Sequence, residues 1–211
     1  MGDDFDELVD EVRASGERLR ATLAGMTEQQ AREASRLPGW TRGHVVTHLA
    51  RNADAMWRFA RGVIDGAPAP EMYPGGPEAR AAAIEEGADR PVELLRADLQ
   101  FSGVRAARAM GSIDAASLDT DIRWKHTVPA RMIPVLRWRE LEIHHVDLGL
   151  GYAPADWPAA FVTRTLATEL PALRGTGWDG EAPDLPEAEL LAWLIGRPTS
   201  EGLPAVPSWP Y

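Results

Sequence analysis

Five histidines stand in this chain of 211 residues, and four of them fall in two short runs: His44 with His48, and His144 with His145. His44 and His48 are four residues apart, as are Glu140 and His144, and on a helix that spacing puts each pair on one face. Imidazole nitrogen and carboxylate oxygen together suit zinc and other divalent first-row metals. Three ligands, His48, Glu140 and His144, would leave a fourth position open to water or substrate, which is the arrangement of a catalytic rather than a structural zinc. A glutamate and a histidine at this spacing are also a common solvated surface pair, and the residues by themselves leave both readings open. The chain has no Cys. Disulfides, thiolate metal ligands and a cysteine nucleophile are therefore excluded together, and any thiol chemistry must use an imported thiol. No His-Glu-x-x-His run, glycine-rich phosphate loop or Gly-x-Ser-x-Gly turn is present.

These side chains need helices to carry them. Residues 3–23 place Phe5, Leu8, Val9, Val12, Leu19 and Leu23 at near-helical spacing. Thr27 before Glu28 reads as a cap with a short turn. After the break at Leu37-Pro38-Gly39, Thr41 can cap a long helix reaching about residue 64, with His48 beside Val45 and Leu49 on an inward face. Residues 66–76 form a loop rich in Pro and Gly. A third helix covers residues 77–110, interrupted near 87–91, where Pro91 restarts it. Residues 119–128 are expected to be extended. A fourth helix spans residues 129–148, with Pro134 either kinking it or marking its start and Gly149 ending it. On it Ile133, Leu136, Glu140, His144, Asp147 and Leu148 lie along one stripe, so Glu140 and His144 would be buried groups that need partners. Four long helices joined by loops predict an antiparallel four-helix bundle over residues 1–152. Proline then punctuates the chain, and residues 153–211 read as a small, shortened C-terminal α or α+β domain. Its helices are expected at 158–170 and 186–195, with a proline-rich strap from 204 to 211.

Net charge is −10, and Lys125 is the single lysine among 22 basic residues. Nucleic acid, which needs clustered cations, is an unsuitable partner. A small anionic substrate is not, because a few local arginines can override the global field. No apolar run approaches the roughly 18–20 residues needed to span a bilayer. The acidic start Met1-Gly2-Asp3-Asp4 lacks the basic and apolar parts of a signal peptide. A soluble cytoplasmic protein, monomeric or a small homo-oligomer, with no nucleic-acid or membrane partner, is expected.

The run Leu37-Pro-Gly-Trp-Thr-Arg-Gly-His-Val-Val-Thr-His48, continuing to Ala55, resembles the start of the metal-binding helix of the mycothiol-dependent maleylpyruvate isomerases, a family within the DinB-like bundle superfamily. Met72-Tyr73 leading to Pro77-Glu-Ala-Arg80, then Thr127-Val-Pro-Ala130, then Arg139 to Gly149 agree with it in order and spacing. Leu190 to Arg197 resembles the last helix of the family's C-terminal domain. The resemblance covers nearly the whole chain.

It implies zinc held by His48, Glu140 and His144, with His44 and His145 as neighbours rather than ligands. Arg80 and Arg197 match positions implied in binding substrate or thiol; a cation after a helix end, as Arg197 is, also suits the helix dipole. Asp147 reads either as a partner of a ligating imidazole or as a polar residue ending its helix. His126 has no counterpart and reads as a loop residue.

The implied activity is isomerisation of maleylpyruvate to fumarylpyruvate with mycothiol as cofactor. A thiolate adds to the activated alkene, the resulting single bond turns, and elimination returns the trans isomer and the thiol. Zinc would keep that sulfur deprotonated, and Arg80 and Arg197 would hold carboxylates and stabilise the enolate. Two rivals keep the site: S-transfer from mycothiol to another electrophile, and a non-catalytic metal-stabilised binding protein. The stretch 175–186 has little room for the strands that the family carries ahead of its last helix.

Overall fold

The computed structural model describes residues 2–67, 70–176, 178 and 180–206. It divides into two compact units, Met1–Leu150 and Gly151–Tyr211. The first holds α1 (Gly2–Ala24), α2 (Glu28–Arg32), α3 (Arg42–Ile64), α4 (Gly76–Ala88), α5 (Val92–Met110), the hairpin β1 (Asp121–Arg123) and β2 (Thr127–Pro129), and α6 (Ile133–Asp147). The protein is mainly helical, and α1, α3, α5 and α6 form the bundle.

Each helix is set by a local signal and one apolar face. On α1 the six apolar residues at helical spacing are all buried. Thr41 begins α3 with a reciprocal cap: its hydroxyl accepts from the His44 amide, and the His44 ring sits 3.2 Å from the Thr41 amide. The chain breaks between α4 and α5 at Asp89-Arg90-Pro91. Pro134 lies in the first turn of α6, where a missing N–H costs nothing, so it marks the start of the helix rather than a kink. A short 3-10 turn, Ala130–Met132, precedes it. Gly149 follows α6 at φ +65°, a conformation that glycine adopts without steric penalty. The extended stretch is a two-stranded antiparallel hairpin pairing Ile122 with Val128.

Side-chain pairing fixes the helix directions. On α5, Arg96 donates to the Leu23 and Met26 carbonyls at the end of α1, so these two helices run antiparallel. Helix α6 is tied to α1 by Arg18–Glu142 at 2.7 Å and by His145 to Thr22 at 2.8 Å. Arg51 pairs with Asp98 and Asp54 with Arg105, so α3 and α5 point the same way, with α4 carrying the chain back along α3. Helices α3 and α6 are antiparallel neighbours, and the site lies on their shared seam.

The second unit contains α7 (Ala159–Gly175) and α8 (Glu187–Leu194), with no strand among the described residues. Expected to end at 170, α7 instead continues through Pro171. The ring removes one backbone donor, and the extra turn buries Leu173. Trp157 packs edge-on against Phe161, and Trp193 Nε1 donates to the Pro204 carbonyl at 2.7 Å. The rest of the expected strap, 207–211, lies outside the described residues. No helix of the described residues is long and apolar enough to cross a membrane.

Gly43 in the first turn of α3 has backbone against backbone: a Cβ there would lie 2.2 Å from the Ala88 carbonyl oxygen. Gly43→Ala should therefore destabilise the first unit by about 1–3 kcal/mol, read as a lower urea midpoint, although alanine is the better helix former.

Candidate metal centre

His48 comes from α3, while Glu140 and His144 sit one turn apart on α6. The helix period brings the last two onto one face, and antiparallel packing delivers the third across the seam. His48 Nε2 lies 2.8 Å from Glu140 Oε2, and His144 Nε2 lies 3.5 Å from the same oxygen. One donor atom from each residue falls within 4.8 Å of the others. The two imidazoles meet edge to face, with centroids 4.6 Å apart.

The outer contacts fix how each ring is presented. Asp147, 1% exposed, accepts from His144 Nδ1 at 2.8 Å, which turns Nε2 toward Glu140. Arg80 on α4 brings Nη2 to 3.0 Å from His48 Nδ1. A guanidinium can only donate, so Nδ1 accepts and His48 Nε2 carries the hydrogen donated to Glu140. Trp40 lies against both His48 and His44, at 5.6 and 6.2 Å between centroids. Arg80 also sits over the Tyr73 ring, 5.4 Å from its centre.

Protonation follows from these contacts. Burial pushes His48 down to about 4, with the charges of His144 and Arg80 adding to it and Glu140 opposing. Burial would also lower His144, but its bonds to Asp147 and Glu140 outweigh that and raise it. Burial raises Glu140, yet hydrogen bonds from His144 and His48 hold it well below the usual carboxylate range. Burial lifts the Tyr73 phenol, and the charge of Glu140 lifts it further. The result is a carboxylate held between one neutral and one readily protonated imidazole. Two nitrogens and an oxygen converging on one point, with His144 already donating from its far side to Asp147, fit a divalent first-row cation.

The other histidines are placed elsewhere. His44 caps its own helix and reaches Glu85 at 3.2 Å. His145 is buried and faces Thr22 on α1, away from the seam. His126 is exposed in the hairpin and stacks edge-on against Trp124. Arg197 belongs to the second unit, just after Gly196 ends α8 at φ +74°, and bonds the Ile195 carbonyl at 2.9 Å. Trp40 stands in the run from Leu37 to Ala55 but was not singled out there, and Arg137 carries no motif of its own. Arg137 nonetheless lies three residues before Glu140, which was the available signal.

The family model for the mycothiol maleylpyruvate isomerase N-terminal domain matches residues 12–149. The chain belongs to that family. Two solved structures are similar to it over 97% of both chains, each at 26% identity and a TM-score of 0.85: the mycothiol-dependent maleylpyruvate isomerase and a histidine-to-alanine mutant of an enzyme of the same name. No curated protein matches in sequence.

Two measurements probe the centre. His48 takes up a proton on unfolding between about pH 4 and 6.5, so through His48 the metal-free protein loses stability as pH falls across that window. His48→Gln should flatten this part of the stability profile, measured by urea unfolding at a series of pH values. Asp147→Asn should weaken zinc binding by about 10–100-fold in a chelator competition; unchanged affinity would show that the Asp147 bond does not orient a ligand.

Proposed function

We propose that the chain is a zinc- and mycothiol-dependent cis–trans isomerase acting on maleylpyruvate. The observation that carries this reading is the His48–Glu140–His144 convergence in a member of this family whose fold matches that of the isomerase over nearly its full length. When bound, the metal and thiol supply a sulfur that stays deprotonated at neutral pH and can add reversibly to an activated alkene.

The chain's own residues do the rest. His48, Glu140 and His144 hold the cation and leave a position open. Asp147 keeps the His144 lone pair at Nε2 once the proton between that atom and Glu140 has left. Arg80 has a fork of donors beside the centre, suited to a substrate carboxylate or to the enolate oxygen that addition creates. Trp40 covers the His48 ring and shields that side from water. For Arg197, a role in binding substrate or thiol rests on the resemblance of its run to the family's last helix.

A second reading, mycothiol transfer to another electrophile, is favoured by one observation: among the described residues the second unit has no strand ahead of α8, where the resemblance implies strands. An absorbance assay with maleylpyruvate, with and without mycothiol, separates the two. Turnover that requires the thiol supports isomerisation, and thiol consumption with other electrophiles alone supports transfer. Metal binding with neither activity supports a binding protein. His48→Ala should lose zinc and turnover together, and full activity in that zinc-free variant would overturn the mechanism. Arg80→Met should lower kcat/KM by 10²-fold or more while zinc content stays at one per chain.

A further inference from the structure

Away from the metal centre, a cavity of about 570 Å³ opens between α1 and α5 in the first unit. Its floor is apolar, with Val12, Leu19, Leu23, Leu99 and Leu141 lining it. Two glycines in helix interiors, Gly16 on α1 and Gly103 on α5, stand on its walls, and a Cβ at either would meet nothing within 4 Å. Packing does not require glycine there, and in a helix interior glycine is costly. What the two glycines provide is open space between the helices.

The cavity is also basic, in a protein of net charge −10. Five arginines line it against two glutamates. Arg13, Arg20 and Arg96 pair with Asp10, Glu17 and Glu93. Arg108 has no ion-pair partner among the described residues. Arg137 is 2% exposed, and both of its hydrogen bonds leave from Nη1, to the Leu49 carbonyl and Asn52 Oδ1 at 2.8 Å. Among the described residues no carboxylate pairs with it and its other nitrogens have no hydrogen-bond partner. Burial brings its pKa down to about 10. Glu140, Tyr73 and Asp54 act on it from a distance and favour its charged form, but no carboxylate bonds it directly, so its free donors can still take an anion.

The helix registers place three of the five arginines at one end, while Arg20 and Arg96, paired with Glu17 and Glu93, lie toward Leu23. Arg13 lies against Gly111, one turn beyond Arg108, at the far end of α5. Glu142 is level with Ser15 and Arg18, and Arg137 precedes it by about 7.5 Å along α6. Arg13, Arg108 and Arg137 thus share the end of the cavity opposite Leu23. From Val12 to Ala24 the groove follows α1 for about 18 Å. That is long and narrow, a shape for an extended chain rather than a compact ring.

We propose that the α1–α5 groove binds a free medium-chain acyl carboxylate, its head at the Arg137 and Arg108 end and its chain along Leu19, Leu99 and Leu23. The site does not involve the metal ligands, so it stands or falls independently of the proposed isomerisation. Calorimetric titration of the full chain with decanoate should give saturable one-to-one binding, with decanol at least tenfold weaker. Arg137→Met, which removes the charge and keeps an apolar stem, should weaken decanoate at least tenfold and leave decanol unchanged. Gly103→Leu fills the groove; it should abolish binding of both and raise the melting temperature. The second variant decides the matter if the first fails to fold. Equal affinity for decanoate and decanol, or undiminished decanoate binding in a folded Gly103→Leu protein, would overturn the proposal.

Discussion

The bundle is organised around one carboxylate. Glu140 lies on the α3–α6 seam, where burial alone would drive it toward its neutral form. It stays ionised because His48 and His144 both bond it, and each imidazole is held from its other side. Removing either histidine would leave a partly buried charge short of a partner, which costs more than the bond itself is worth. The seam therefore tolerates little change in register: a shift of one residue along α6 would carry Glu140 off the face that meets His48. The caps at both ends serve that register. Thr41 and Gly43 seat the start of α3, and Pro134 and Gly149 mark the limits of α6.

Much of this was legible in the sequence because it is periodic. The four-residue spacing of Glu140 and His144 put both on the stripe of Ile133, Leu136 and Leu148, while a solvated surface pair stayed open until the resemblance was added. Proline and glycine marked where helices begin and end, and Pro134 was resolved in favour of a helix start because the first turn needs no donor from it. Pro171 misled for the opposite reason: apolar Leu173 keeps the helix going beyond a residue that usually stops one. The resemblance to the family supplied what periodicity could not, namely that His48 rather than His44 faces the pair.

What the sequence hid were contacts between elements distant along the chain. Nothing local says that Trp40 lies on His48, that Arg80 reaches its Nδ1, or that His145 turns to α1 while its neighbour His144 turns to α3. Arg137 is the clearest case. An arginine in an amphipathic helix usually reads as a surface residue, yet here it is among the most buried side chains of the bundle. Its position becomes intelligible only in the fold, where it reaches across to the Leu49 carbonyl and Asn52 on α3.

The bond from Arg80 to His48 has a further consequence. A neutral imidazole has one lone pair, and in this structure Arg80 engages it at Nδ1. A cation bound at Nε2 needs that same pair, and the ring proton must then move to Nδ1, where it faces the guanidinium donor to donor. Arg80 and a cation would thus compete for a single imidazole, and a cation held at the centre would release the guanidinium from the ring. The guanidinium that lies folded against its own histidine here would then be free to meet an anion, as the proposed function requires of it.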